Sequence, residues 1–288
     1  MIVNYFPAWF RNLYGGVWPK SYVCIDCETT GFSFDRDVIT EWGHCLVEDG
    51  KITDQLSLVI DWTNHATVPD HWLRSKLHAV RQGMELAGRK SHMTYERMQK
   101  EGLKPAKALD FLLKYTQTIK AKQLLFVAHN AKFEESMLCA NLMGFQIAPG
   151  FTFGDNGFLD TECIEKASQA VDNPRVHPQK GDTLRKYFHR VKYTRLEGIK
   201  SNLDIHCFNK YRFQDKYNID PKEMHGAKID AFCCYLLMEE FRAQMTNDVQ
   251  SPPFYPDADH KQIRKTGQPL TSPTPRTGTQ RVRGQRNS

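Results

Sequence analysis

The stretch Ser21-Tyr-Val-Cys-Ile-Asp-Cys-Glu-Thr-Thr-Gly31 decides how the chain is read. Tyr22, Val23, Cys24 and Ile25 form a short apolar run, expected to be a buried strand that stops at Asp26, and Thr29-Thr30-Gly31 is a turn signal. Side chains at i and i+2 of a strand share a face. Asp26 and Glu28 are thus expected side by side at the C-terminal end of a buried strand. Burying paired like charges is costly unless a cation compensates them, and hard oxygen ligands with open positions suit magnesium or manganese. The plain alternative is a pair of solvated acids at a strand end.

Working outward, residues 38–47 read as a second strand, Glu48-Asp49-Gly50 as the turn of a hairpin, and residues 55–60 as the returning third strand. The sheet is expected to begin antiparallel. Residues 91–115 read as helix in two pieces, with Leu109, Leu112 and Leu113 at helical spacing. Residues 124–128 are apolar throughout, a buried strand running into His129-Asn130. Asn130 is placed to cap a helix from Ala131 that carries Phe133, Met137, Leu138 and Leu142 on one face. A further helix is expected over 227–241, its stripe formed by Phe232, Cys233, Leu236, Leu237 and Phe241.

Two more segments carry ionisable groups. In His129-Asn-Ala-Lys-Phe-Glu134, a carboxylate falls in the first turn of a helix that follows a buried strand. In His225-Gly-Ala-Lys-Ile-Asp230, Gly226 lets His225 sit in the loop before a helix whose first turn carries Asp230. Singly, Glu134 reads as a complement to the helix dipole and His225 as a surface histidine.

Together, residues 23–31, 127–134 and 225–231 resemble the DEDDh group of 3′→5′ exonucleases, of the ribonuclease H-like superfamily, which includes polymerase-proofreading and RNA-trimming enzymes. Asp37-Val-Ile-Thr-Glu41 and Leu159-Asp-Thr161 fit the same pattern, and the resemblance covers roughly residues 20 to 245. It implies an α/β fold with a mixed five-stranded sheet, the first three strands antiparallel, flanked by helices. It also implies that Asp26, Glu28, Glu134 and Asp230 hold two Mg²⁺ or Mn²⁺ ions, and that His225 is the general base. Thr29, Thr30, Gly31, His129 and Asn130 would lie beside the terminal nucleotide, and the product would be a nucleoside 5′-monophosphate. One position departs from the pattern, since the family usually has Asp where this chain has Glu134. The extra methylene moves the carboxylate by roughly 1.5 Å. A second class of function stays open on that account: a catalytically weakened nucleic-acid-binding or polymerase-associated domain.

Charge is uneven. The net charge is +6, of which residues 249–288 carry +5, and residues 166–222 carry +7. A basic insertion beside an acidic site would attract the phosphates that catalytic carboxylates repel. Lys180, Arg185, Lys186, Arg190 and Lys192 are candidates for backbone contacts to single-stranded 3′ ends of DNA or RNA, and Phe32, Phe34 and Trp42 for base stacking, although Trp42 reads better as core. The chain divides into an aromatic extension over 1–20 (Tyr5, Phe6, Trp9, Phe10, Tyr14, Trp18), an exonuclease-like domain over 21–248 and a basic, proline-rich tail over 249–288 expected to be disordered. Arg276, Arg281, Arg283 and Arg286 of the tail could engage phosphates, a polymerase or another protein. Eight cysteines without a framework spacing read as free thiols, so a reducing, cytoplasmic setting is expected, with no secretory signal and no membrane span.

Overall fold

The computed structural model describes residues 18–63, 93–154, 157–169, 173–177, 182–194 and 225–247, together with 179, 213 and 217–220. The remainder of the aromatic extension, the tail with Arg276, Arg281, Arg283 and Arg286, and Lys180 lie outside the described residues.

Five strands form one mixed sheet in the order β3-β2-β1-β4-β5. They are β1 (Tyr22–Thr29), β2 (Ile39–Glu48), β3 (Lys51–Val59), β4 (Leu125–Ala128) and β5 (Phe158–Asp160). β1, β2 and β3 pair antiparallel, whereas β4 runs parallel to β1 and β5 parallel to β4. The β2–β3 turn is Asp49-Gly50, with φ of 51° and 77°, the two left-handed residues that a tight hairpin of native twist requires. β1 runs past Asp26 to Thr29, and β3 starts at Lys51 rather than at residue 55, because pairing with β2 extends it through polar positions that carry no hydrophobic signal. β5 has three residues, too few for periodicity to show.

The α-helices described in full are α1 (Tyr95–Glu101), α2 (Pro105–Ala121), α3 (Ala131–Gly144), α4 (Thr161–Gln169), α5 (Leu184–Tyr193) and α6 (Ala227–Asn247). Thr94 caps α1 by accepting from the Arg97 amide at 3.1 Å, and Pro105 opens α2, where its missing N–H costs nothing. Asn130 precedes α3 in a left-handed conformation, φ 74°, and its side chain makes no capping bond. The expected cap therefore does not form, since a cap residue needs extended backbone to turn its side chain onto the first amides.

Alternation along β1 divides the core into two layers. Tyr22 and Cys24 pack with α4, α5 and α6, through Ile164, Tyr187 and Leu237. Val23, Ile25 and Cys27 face the other way and pack with α1, α2 and α3, through Met98, Leu112 and Leu138. Cys24 and Cys27 thus lie on opposite faces and cannot act as a pair, and both thiols are free and raised by burial above the ordinary range. Trp42 is fully buried in the second layer. Trp18, the last aromatic of the extension, packs edge-on to Phe241 in the first layer. No described helix is long and apolar enough to cross a membrane.

Gly43, in the middle of β2, lies directly under the start of α6. A Cβ there would sit 2.1 Å from the Ala227 carbonyl carbon and oxygen and 2.3 Å from the Lys228 nitrogen. Only glycine allows this approach. Gly43→Val is expected to push α6 off β2 and cost more than the about 1–3 kcal/mol typical of overpacking, read as a lowered thermal midpoint. An unchanged midpoint would mean that α6 is not held there.

Candidate metal centre

Asp26 lies opposite Gly43 in the β1–β2 ladder, and Glu28 lies opposite Glu41. Residues facing one another across a ladder share a face of the sheet. Asp26 and Glu28 therefore point to the face covered by α6, whose first turn is brought down onto Gly43. Asp230 lies in that same first turn. One carboxylate oxygen from each of Asp26, Glu28 and Asp230 lies within 4.8 Å of the others. The β1–β2 register shifts between Glu28 and Thr29, so the ladder breaks where the acids sit.

Burial raises the Asp26 carboxyl well above the ordinary range, and Asp230, Glu134 and Glu28 raise it further by repulsion. Burial and Glu41 lift Asp230 to about 7 against the opposing bond from His225. Glu41 shows what matched charge looks like on this face. It is buried, yet Arg97 of α1 donates to both its oxygens at 3.1 and 3.0 Å and Ser57 donates at 2.5 Å. Among the described residues no basic side chain pairs with Asp26 or Asp230.

Glu134 does not join the other three. It sits in the first turn of α3, 4% exposed, and its Oε2 is buried with no hydrogen-bond partner. The expected convergence of four carboxylates is thus reduced to three within 4.8 Å, with Glu134 beside them. α3 packs on the face of the sheet opposite α6, yet the Glu134 carboxylate acts on Asp26 and on Cys234 of α6. It remains close enough to Asp26 to raise that carboxyl, and its own is raised by burial and by Asp160. Glu135 points elsewhere and pairs with Arg185.

His225 precedes α6 in a left-handed turn, φ 73°, and its amide donates to Asp230 Oδ1 at 3.3 Å. This bond folds the loop back over the helix start and sets the histidine beside the acid. His129 is buried, its Nδ1 3.1 Å from Thr161 Oγ1. The Asn130 amide donates to Asp160 Oδ1 at 3.2 Å, and its side-chain oxygen accepts from Lys192. Thr29 donates to the Gly31 carbonyl at 2.7 Å, and Thr30 to Asp37 Oδ1 at 2.9 Å. A Cβ on Gly31 would lie 2.6 Å from Asp37 Oδ2, so the turn closes tightly over that carboxylate. Phe32 and Phe34, 60% and 39% exposed, stand over Phe133 with ring centroids 5.9 and 6.0 Å away. Of the basic candidates, Arg190 is a structural clamp, bonded to Asp182 and to the Arg175 and His177 carbonyls. Arg185 is bonded to Glu135 and Gly154, and Lys186 is exposed.

Sequence reasoning missed Gly43, Arg97 and Asn141, and gave Asp160 only as part of the resemblance, with no role of its own. A lone glycine inside a strand does signal close backbone approach. Arg97 and Asn141 act across long separations, Arg97 on Glu41 and Asn141 on the Ile39 amide, from which it accepts at 3.2 Å just past the turn, whereas Asp160 accepts from the nearby Glu162 and Cys163 amides and from the more distant Asn130 amide. A comparison with protein-family models matched none of them, and a comparison with curated proteins returned no match.

The three clustered oxygens, the orphaned Glu134 oxygen and the all-oxygen donor set fit a hard divalent cation. Because Asp230 holds its proton to about pH 7 when folded but loses it near pH 4 when unfolded, the folded state binds the extra proton between these values. Without metal, stability should therefore fall as pH rises from about 4 to about 7. In excess chelator the thermal midpoint should be lower at pH 8 than at pH 5, and Asp230→Asn should reduce the difference, since Asp26 and Glu134 are raised in the same direction. Mn²⁺ at pH 8 should restore about 2.7 kcal/mol when present at 100 times its Kd. A midpoint insensitive to both pH and Mn²⁺ would count against a cation site.

Proposed function

We propose that the protein is a two-metal-ion 3′→5′ exonuclease that hydrolyses the terminal phosphodiester of a DNA or RNA strand and releases nucleoside 5′-monophosphates. The observation that carries this reading is the meeting of Asp26, Glu28 and Asp230, from strand and helix 204 positions apart at the extremes, with their oxygens within 4.8 Å. The sheet order and the switch from antiparallel to parallel pairing are compatible with a ribonuclease H-like fold.

Asp26, Glu28 and Asp230 would hold Mg²⁺ or Mn²⁺, with Glu134 as the fourth ligand. Bound divalent cations supply charge neutralisation at the phosphate and at its attacking and leaving oxygens. His225 would take a proton from the attacking water, whose oxygen adds to phosphorus as the bond to the 3′ oxygen breaks, and the leaving oxygen takes up a proton from solvent to become the new 3′-hydroxyl. Phe32, Phe34 and Phe133 offer rings to the terminal base, and the Thr29–Gly31 turn borders it. The single-stranded 3′ end is the substrate such an edge can admit.

The set-back position of Glu134 favours one second reading, a nucleic-acid-binding domain with weakened turnover. End-labelled single-stranded DNA and RNA incubated with Mg²⁺ or Mn²⁺ separate the two: a one-nucleotide ladder from the labelled strand is expected, and none in excess chelator. Glu134→Ala should slow it by at least about 10²-fold, the cost of misplacing a reacting group. If Glu134→Ala digests strands as fast as the parent protein, Glu134 is not a ligand. Full turnover in chelator would overturn the metal mechanism.

A further inference from the structure

A cavity of about 340 Å³ opens between α3 and α5 at the C-terminal end of β5, apart from the three clustered acids. Its rim carries Lys132, Lys186, His189 and Lys192, and its walls include Phe158 and Tyr193. Lys132 and Lys186 are exposed, and neither has an ion-pair partner among the described residues. The acids on the same wall are already satisfied. Glu135 pairs with Arg185, and Asp160 accepts from the amides of Asn130, Glu162 and Cys163. Positive charge is therefore in surplus there. Tyr193 is 64% exposed, and its ring lies 4.8 Å from that of His189. The opening turn of α3, which contributes Ala131 and Lys132, adds its positive dipole end. Two free ammonium groups beside an open aromatic face suit an anion joined to a flat ring.

Position narrows the source. The acids sit at the end of β1, and the cavity at the end of β5, two strands away in the sheet. Adjacent strands lie about 4.8 Å apart, so the separation is about 10 Å, roughly three stacked nucleotides at about 3.4 Å each. Lys192 lines the cavity and donates to Asn130, and its charge also acts on Glu134, which in turn acts on Asp26.

We propose that this cavity is a nucleoside-phosphate subsite, in which Lys132 and Lys186 hold a phosphate and Tyr193 stacks on the base. Its volume, near the lower end of the about 300–1,000 Å³ usual for ligand pockets, admits one nucleotide unit. The unit belongs to the strand whose 3′ end lies at the acids, and this choice of source rests on the function proposed above. A free mononucleotide has the same chemistry.

The test uses the full chain carrying Asp230→Asn, which blocks turnover, in excess chelator. Binding of a fluorescein-labelled six-nucleotide DNA strand is followed by anisotropy across a salt series, and binding of adenosine 5′-monophosphate by calorimetry. Added to that background, Lys132→Gln with Lys186→Gln should weaken the strand roughly tenfold at low salt and make log K against log[salt] shallower by about 1.4, about 0.7 per lost contact. Tyr193→Ala should weaken it without changing the slope. Lys114→Gln, which removes an ion pair with Asp110 on α2, is the control and should change neither. Loss confined to the strand assigns the subsite to the polymer; loss for both probes assigns it to any nucleoside phosphate. Equal affinity and slope in parent and lysine variants, or no binding of either probe, overturns the proposal. Because no metal or turnover is involved, failure of the exonuclease reading would leave this result standing, and the converse holds too.

Discussion

Everything at the candidate centre depends on like charge being crowded together, at two half-buried positions and one buried one. Asp26 and Glu28 come from one strand end, and Asp230 is pressed against them because α6 rests on bare backbone at Gly43. The cost of leaving such a group uncompensated is several kcal/mol per ion. The protein answers it in two ways at neighbouring positions. Glu41 receives a guanidinium from Arg97, so its charge is matched permanently. Asp26 and Asp230 receive no basic side chain among the described residues, and their carboxyls respond by holding protons more tightly. That is the electrostatic state in which a divalent cation binds with the greatest gain, displacing protons as it does so.

The sheet gives this crowding its direction. Its two faces separate the helices into a layer with α6 and a layer with α3, and the centre lies where the first meets the end of β1. Glu134 approaches from the other layer, beside Asp160, with Lys192 as the cation that tempers its burial. The region around it is therefore a boundary between an acidic edge and a basic one. A polyanion that spans both would find cation-assisted contacts at one end and lysines at the other.

How much of this was legible in the sequence varies with range. The Asp26–Glu28 pair was readable because strand alternation is a local rule, and the Asp49-Gly50 hairpin because two left-handed residues are a local demand. Trp42 read correctly as core for the same reason. The cap at Asn130 failed because the residue takes the left-handed backbone that asparagine tolerates, its amide donating to Asp160 thirty positions on. Glu134 was placed in the right turn of the right helix, but its distance from Asp26 depends on which face of the sheet α3 covers, and no pattern within α3 states that. Gly43 was visible as a glycine inside a strand, yet its partner, the Ala227 backbone, is visible only once folded.

The most direct test is a crystal grown or soaked with Mn²⁺ and measured for anomalous scattering. Anomalous density bound by Asp26, Glu28 and Asp230, at coordination distances near the about 2.0–2.1 Å of small hard cations, is the expected result. Well-ordered carboxylates with no anomalous density between them, or three side chains turned away from one another, would contradict it.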